Sequence, residues 1–300
     1  MTHRILPEPA AMELLKQISP FVLTLSLAGV VVSVGLSSTR GDFLYAVRRP
    51  GLLLRAVVAV DVIPPLAAVL LMRLLPLDSA VKAGVVLMAI SPVPPLSPGQ
   101  ELKVGARREY AYGLYVALAL LTIVTVPMVL AIATRAFGRQ DTVSVATLAK
   151  SLLVGVFIPL ATGVAVRAVA PGIAARIAPW LYRLSTPLVS LAFLPMIVSL
   201  WPTIISLVGD GALLAMALVV LIALVGGHFL GGPDRVDRGT LAIASAVRHP
   251  GIAMMLAGAN FTDARVRAAV LLFMLVGLVV GLPYKQWLKR TGATSVANHL

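Results

Sequence analysis

Long apolar runs separated by short polar connectors recur along almost the whole chain. A helix needs about 20 apolar residues to cross the hydrocarbon core of a bilayer. Nine runs approach that length, at residues of about 14–36, 51–72, 79–98, 110–133, 145–169, 181–201, 211–230, 239–259 and 265–283. The pattern therefore predicts an all-α polytopic membrane protein with about nine transmembrane helices.

Two of these runs, the third and the eighth, are interrupted by proline. The stretch SPVPPLSPG at 91–99 cannot be one continuous helix, because each proline removes a donor and clashes with the preceding turn. The chain can restart there, since Ser97 to Gln100 has the form of a capping box with proline at the first helical position. The stretch RHPG at 248–251 breaks the eighth run, and Pro250 is well placed to open a second half-helix.

Irregular backbone at membrane depth is tolerated only where it is buried inside the protein or lines a water-filled cavity. Interrupted spans at corresponding places in the two halves of a chain therefore indicate a transporter binding site. The two interruptions are five spans apart, which predicts two inverted repeats at about 14–133 and 145–285, with the first span of the first repeat missing. Half-helix N-termini would offer free N–H groups to an anion. The alternative is a pair of proline kinks that serve helix packing only.

Two ionisable residues lie well inside predicted spans. Arg248 is near the middle of the eighth run, and Asp61 is the only acid well inside a span, whereas Arg55 can extend to the headgroups. Charge at that depth is costly unless it is paired or lines a wet cavity. Arg248 and Asp61 are therefore functional-site candidates, the alternative being a structural ion pair that ties two helices together.

Composition narrows the class of protein. The chain is 59% hydrophobic and 12% charged, too apolar for a soluble domain, and it has no cysteine. Its net charge of +13 comes from scattered basic residues without interleaved aromatics, so nucleic-acid binding is not expected. Fourteen Lys and Arg in one set of connectors against nine in the other predict an outside N-terminus and a cytoplasmic C-terminus. Residues 1–13 then form an N-terminal tail, 14–285 one transmembrane domain and 286–300 a cytoplasmic tail.

Two segments resemble the bile acid:sodium symporter family. VGLSSTRGDFLYAVRRPGLLLRAVVAVDVIPPLAAVLL at 34–71 is similar to that family's early signature, and TLAIASAVRHPGIAMMLA at 240–257 is similar to its second broken helix. The resemblance covers about 22–285. It implies two inverted repeats that form a core and a panel domain, with the third and eighth helices broken and crossing at the substrate and sodium sites.

Most of the family's functional positions do not match. Pro92, Ser97 and Gly251 fit its pattern. Elsewhere the resemblance places glycines on Val93 and Pro94, an asparagine on Pro98, two hydroxyls on Tyr115 and Ala119, a glutamate on Ala244, a glutamine on Arg248, an asparagine on His249 and a glutamine on Val60. Sodium prefers a cage of oxygen ligands with a carboxylate to offset its charge, and this chain lacks most of them.

The sequence therefore suggests that the Arg248 cation occupies, or lies beside, the space where the family holds sodium, with Asp61 as its counter-ion. Arg248 could also bind a substrate carboxylate bidentately, while Asp61 takes up a coupling proton. His249 is a second titratable candidate. The predicted substrate- or ion-binding residues are Arg248, His249, Asp61, Ser97, Ser91, Pro92, Ser245, Pro250, Gly251 and Tyr115.

The predicted function is a secondary transporter of a small organic anion, either a carboxylate or a bile-acid-like amphiphile, working by alternating access without sodium. Alternatives are a conventional sodium-coupled symporter, a non-transporting binding or sensor homologue, and a channel. No enzyme motif, cofactor or metal site is evident. Expected partners are the anion, membrane lipid and, through Gly277-x-x-x-Gly281, a second copy in a homodimer. A bacterial plasma membrane is the expected location.

Overall fold

The computed structural model describes residues 9–137, 149–150 and 152–297. Within these residues no strand occurs, and seven helices are long and apolar enough to cross a membrane. They are Ile18–Ser37, Pro50–Leu74, Arg108–Val129, Pro171–Ser206, Ala212–Leu230, Arg235–Asn260 and Ala264–Thr291. The predicted all-α polytopic fold is confirmed, and each of these helices overlaps one predicted span.

The helices of the described residues are numbered here in chain order. They are α1 Pro9–Ser37, α2 Arg40–Val47, α3 Pro50–Leu74, α4 Ser79–Ile90, α5 Ser97–Leu102, α6 Arg108–Phe137, α7 Leu153–Val169, α8 Pro171–Ser206, α9 Ala212–Leu230, α10 Arg235–Ala246, α11 Pro250–Asn260 and α12 Ala264–Ala297.

The third and fifth predicted spans are shorter than a full crossing. The third consists of α4, with 12 residues, and α5, with six, because prolines separate them. The fifth is α7, Leu153–Val169, and the start predicted for it at 145 lies outside the described residues. At the ends, α1 begins at Pro9 inside the predicted tail 1–13, and α12 continues to Ala297 through the predicted tail 286–300.

A π-helical turn interrupts the regular hydrogen bonding of α3 at Val58–Val62, immediately before Ile63 and the pair Pro64 and Pro65. Proline has no N–H to donate, so the ladder of backbone bonds cannot run evenly through this point. The widened turn contains Val60 and Asp61, both of which are buried. The proline pair thus places irregular backbone inside a membrane span.

The helices pack in two groups. In the first, α1 packs against α7 and α8, and α1 lies close to α7 at Gly35 and Gly163, where a Cβ atom on Gly163 would overlap the Val32 carbonyl oxygen. In the second, α9 packs against α3, α10 and α12, and α4 packs against α3 and α12. Small residues permit such close contact between helices in a membrane. Contacts between α8 and α12 connect the two groups.

Candidate functional site

The first break begins where α4 ends. Ser91 caps this end, and its hydroxyl donates to the Met88 carbonyl oxygen at 2.7 Å. The helix restarts one residue earlier than a capping box would require, because Leu96 is the N-cap and has no capping side chain. Ser97 instead donates its hydroxyl to the Glu101 carboxylate one turn later, at 2.5 Å. The predicted capping box at Ser97 is therefore wrong.

The second break lies between α10 and α11. Val247 and His249 have extended backbones, and Pro250 is the first residue of α11, as its sequence position predicts. The His249 side chain caps α11, since its Nδ1 accepts the Ile252 N–H at 3.3 Å. A buried imidazole nitrogen that accepts a hydrogen bond carries no proton. His249 is thus a capping residue in this structure.

The two breaks meet, and we call this contact the junction of residues 91–92 with 248–249. The His249 backbone N–H donates to the Pro92 carbonyl oxygen at 3.0 Å and to the Ser91 hydroxyl at 3.1 Å. On either side of the junction, α4 packs against α11 and α5 against α10. The prolines that interrupt each helix also leave backbone groups free to bind the other helix.

Arg248 lies at the centre of the junction and is only 5% exposed. Its guanidinium donates to three backbone carbonyl oxygens, those of Ser91 at 3.1 Å, Val60 at 2.5 Å and Ser245 at 2.8 Å. All three carbonyl groups lie where regular helical hydrogen bonding stops. Ser91 and Ser245 are at the C-terminal ends of α4 and α10, and Val60 is in the π-helical turn.

These carbonyl oxygens favour a cation for two physical reasons. The last carbonyl groups of a helix have no partner within it, and the C-terminal end of a helix carries a partial negative charge. Two half-helices, α4 and α10, direct such ends at the junction. The sequence analysis predicted an anion site at the N-termini of the half-helices. In the structure, the C-terminal ends of α4 and α10 bind a cation, the Arg248 guanidinium.

Asp61 is not the direct counter-ion of Arg248. The carboxylate is buried in the π-helical turn, but the two side chains form neither a hydrogen bond nor an ion pair within 4.0 Å. Their attraction acts through space, and Oδ2 of Asp61 has no hydrogen-bond partner among the described residues. Arg248 and Asp61 thus attract each other without direct contact, while three backbone carbonyl oxygens accept the hydrogen bonds of the guanidinium.

The remaining predicted residues lie around the junction in different roles. Ser245 is fully buried, and its hydroxyl faces Gly227 of α9 and has no hydrogen-bond partner in the described part of the chain. Gly251 packs against Leu27 of α1, which a Cβ atom would approach to 2.7 Å. Tyr115 is buried in an apolar cluster of α6 with Val60 and neighbouring residues, and it makes none of the hydrogen bonds of the junction.

Two charged residues beside the junction were missed by the sequence reasoning. Glu101 of α5 is 2% exposed and interacts with Lys285 of α12, which donates to the Gln100 side chain at 2.6 Å. Arg248, Gln100 and Lys285 line one small cavity of about 60 Å³. Asp61 is therefore not the only deeply buried acid. The sequence feature that could have indicated this site is Glu101 in the stretch SPGQEL. It lies just after the end of the third apolar run and therefore looks like a connector residue.

A cavity of about 740 Å³, here called the apolar cavity, lies among α2, α6, α7 and the short segment that joins α1 to α2. Its walls include Phe43, Val116 and Leu160, and its basic residues are Arg40 and Arg167. No acidic residue and none of the ten predicted site residues lines it in the described part of the chain. It can accommodate an apolar body with a negatively charged end.

Residues 24–227 match the model of the sodium bile acid symporter family. This range is more than half of the chain, so the chain belongs to that family, and the predicted resemblance is confirmed. No curated protein matches the sequence significantly. The protein is thus a multi-pass membrane transporter of this family. The match ends within α9, so Arg248 lies beyond it.

Proposed function

We propose that this transporter carries a small organic anion without sodium, with the Arg248 guanidinium in place of the coupling cation. The carrying observation is the set of three carbonyl oxygens that accept hydrogen bonds from this guanidinium. Such oxygens are the ligands that hard cations prefer. A sodium ion would have to compete there with a covalently attached cation of the same charge.

The side chains around the junction support the same conclusion. Ala244 stands where the family resemblance implies a glutamate, and Val60 stands where it implies a glutamine; both are buried. Val60 contributes only its backbone oxygen, which Arg248 already binds. A sodium ion would therefore find neither a carboxylate nor an amide side chain at these two positions.

If transport is coupled to an ion other than sodium, a proton is the candidate, and Asp61 suits it better than His249. A proton on Nδ1 of His249 would break the cap of α11, because this nitrogen accepts the Ile252 N–H. Asp61 keeps a buried oxygen atom without a partner, and the positive charge of Arg248 acts on it through space. We therefore assign any coupling proton to Asp61.

For the substrate, the apolar cavity favours an amphipathic carboxylate. Its apolar walls suit a hydrocarbon body, and Arg40 or Arg167 can bind the carboxylate. Both arginines belong to connectors that the charge distribution predicts to be cytoplasmic, so the cavity opens toward that side in a bacterial plasma membrane. Movement of the first helix group against the second around the junction would expose the site alternately.

Counterflow in proteoliposomes tests this proposal. Vesicles preloaded with cholate as an amphipathic carboxylate, or with pyruvate as a small one, are given the labelled compound in sodium chloride or in choline chloride. We expect exchange of at least one probe at equal rates in both salts, and slower exchange after Arg40→Gln and Arg167→Gln. Loss of exchange in choline chloride would contradict sodium independence. Binding without exchange would contradict transport and favour a sensor.

A further inference from the structure

A second large cavity, of about 680 Å³, lies where the ends of α5, α9, α10 and α12 meet. Four basic side chains line it: Lys103, Arg235, Arg238 and Lys289. Among the described residues no Asp or Glu contributes to its lining. We call it the basic cavity, and it shares no lining residue with the junction or with the apolar cavity.

The nearest acids are already engaged elsewhere. Asp234, the N-cap of α10, forms an ion pair with Arg107, and Asp237 in the next turn lies 3.9 Å from the same guanidinium. Although partial burial raises the pKa of Asp234, the Val236 amide and Arg107 outweigh it and hold that pKa below its usual value. Among the described residues, neither acid forms an ion pair within 4.0 Å with any of the four cations that line the cavity.

The fold brings four basic residues to the cavity, and one of them, Arg238, is also held by a hydrogen bond. Arg238 donates from Nε to the Gly232 carbonyl oxygen at 2.6 Å, which fixes its guanidinium beside the start of α10. Lys103 stands in a tight turn after α5, in which Gly105 has a φ of +94°, a conformation that side chains disfavour. Four like charges around one cavity repel one another, and an anion bound between them would relieve this repulsion.

Aromatic residues mark the level of this cavity in the membrane. His228 and Trp287 line it, and the His228 ring shares a hydrogen bond of 2.7 Å with the Tyr284 hydroxyl. Trp287 is 45% exposed, and the adjacent Phe229 is 76% exposed. Tyr and Trp concentrate where membrane spans meet the headgroups. The basic cavity thus lies at the ends of spans, beside apolar rings that face outward.

We propose that the basic cavity binds the headgroup phosphate of an anionic phospholipid. The four cations supply the charge, and the exposed rings of Phe229 and Trp287 offer a surface for the acyl chains, which a soluble phosphate lacks. Basic pockets between spans on the cytoplasmic side are typical sites for anionic lipid headgroups. The bound lipid would connect α12 with the end of α5 and the start of α10, which are the ends of the two interrupted helices that lie away from the junction.

Native mass spectrometry of the full chain in detergent tests the proposal with phosphatidylglycerol and phosphatidylcholine as probes. The test variant is Lys103→Gln/Arg235→Gln/Lys289→Gln, because these three side chains are exposed and make no hydrogen bond in the described structure. The matched control is Arg48→Gln/Arg176→Gln/Arg183→Gln, which removes the same charge from the same predicted side. We expect the wild type and the control to prefer phosphatidylglycerol, and the test variant to bind it roughly tenfold or more weakly.

Other results would overturn the proposal. Equal loss of phosphatidylglycerol in the test and control variants would mean that general surface charge, not the cavity, attracts the lipid. Equal binding of both lipids by the wild type would remove the role of charge. Competition by millimolar glycerol 3-phosphate as strong as that by phosphatidylglycerol would assign the cavity to a soluble anion. If the triple variant does not fold, Lys103→Gln and Lys289→Gln are measured singly, each with an expected loss of about fivefold.

Discussion

The junction and the basic cavity differ in how far the surrounding residues compensate positive charge. At the junction one guanidinium, 5% exposed, donates to three carbonyl oxygens of three separate segments. In the basic cavity four cations face about 680 Å³ of open space with no acid among the described lining residues. The first charge is matched by the fold itself, and the second set is not.

This difference separates a structural cation from a binding surface. A buried charge persists only where polar partners compensate the loss of water, and helix ends supply these partners at the junction. Removing Arg248 should therefore damage the fold, whereas removing a cation of the basic cavity should damage only ligand binding. Substitutions at Arg248 and Lys289 test this contrast, and Asp78→Asn in a surface ion pair gives an intermediate reference; they follow from the largest expected effect to the smallest.

Arg248→Leu should cause the largest loss. It leaves three buried carbonyl oxygens without a donor, each at a cost of about 1–3 kcal/mol, so we expect a destabilisation of about 3 kcal/mol or more. That corresponds to a fall in Tm of roughly 6 to 12 °C for a chain of this size. The Tm of Arg248→Lys should lie between those of the wild type and Arg248→Leu. Lysine keeps the positive charge, but its ammonium group lacks the planar set of donors of a guanidinium. Thermal unfolding in detergent measures both.

The control for this experiment is Arg55→Gln, which removes an exposed arginine from α3 near the same segment. We expect its Tm to stay close to that of the wild type. If Arg248→Leu and Arg55→Gln unfolded at the same temperature, the carbonyl oxygens of the junction would not depend on the guanidinium.

Asp78→Asn should cause an intermediate and pH-dependent loss. Asp78 caps α4 and pairs with Arg265 at 2.8 Å on the surface, and asparagine keeps the cap while removing the charge. We expect a cost of about 0.2–1 kcal/mol at neutral pH. Burial alone would raise the pKa of Asp78, but the Ala80 amide and the Arg265 guanidinium outweigh it and lower that pKa below 3.8.

The sign of the pH effect follows from this lowered pKa. The contribution of Asp78 is complete above the usual pKa of 3.8 and is lost as the pH falls through the lower value in the folded protein. Unfolding curves of the wild type and Asp78→Asn should therefore differ at pH 7 and converge in strong acid. A difference that grew as the pH fell would contradict the pair.

Lys289→Gln should cause the smallest change. The Lys289 side chain is exposed and lines the basic cavity beside other cations, so its removal relieves repulsion and costs no internal partner. In a neutral detergent we expect the free energy of unfolding to stay within about 0.5 kcal/mol of the wild type, on the stabilising side. A clear destabilisation without lipid would mean that Lys289 has a structural role.

Much of the fold could be predicted from the sequence because apolar runs and prolines act locally. The positions of the prolines predict the interruptions at 91–99 and 248–251. Arg248 could be identified as a candidate because a charged residue is rare at that depth in a membrane. Its partners could not be predicted in the same way. They are backbone oxygens of Ser91, Val60 and Ser245, and a carbonyl group freed by a helix end leaves no mark in residue identity.

The errors have related causes. Asp61 lies at a suitable depth for Arg248, but depth does not fix the direction of a side chain within a π-helical turn. The basic cavity brings together Lys103, Lys289 and the pair Arg235 and Arg238 from three distant parts of the sequence, where each looks like an ordinary connector charge. Only the fold brings the four together and leaves the nearby acids with Arg107.

The most direct test of the central claim is the thermal stability of the purified protein as a function of sodium, with choline chloride at matched ionic strength and Arg248→Gln alongside. Any ion that binds the folded state alone stabilises it by mass action. If Arg248 replaces the coupling cation, the wild-type Tm will not respond specifically to sodium, and Arg248→Gln will be less stable in both salts. A sodium-specific rise in the wild-type Tm would contradict the account and indicate a sodium site elsewhere in the transporter.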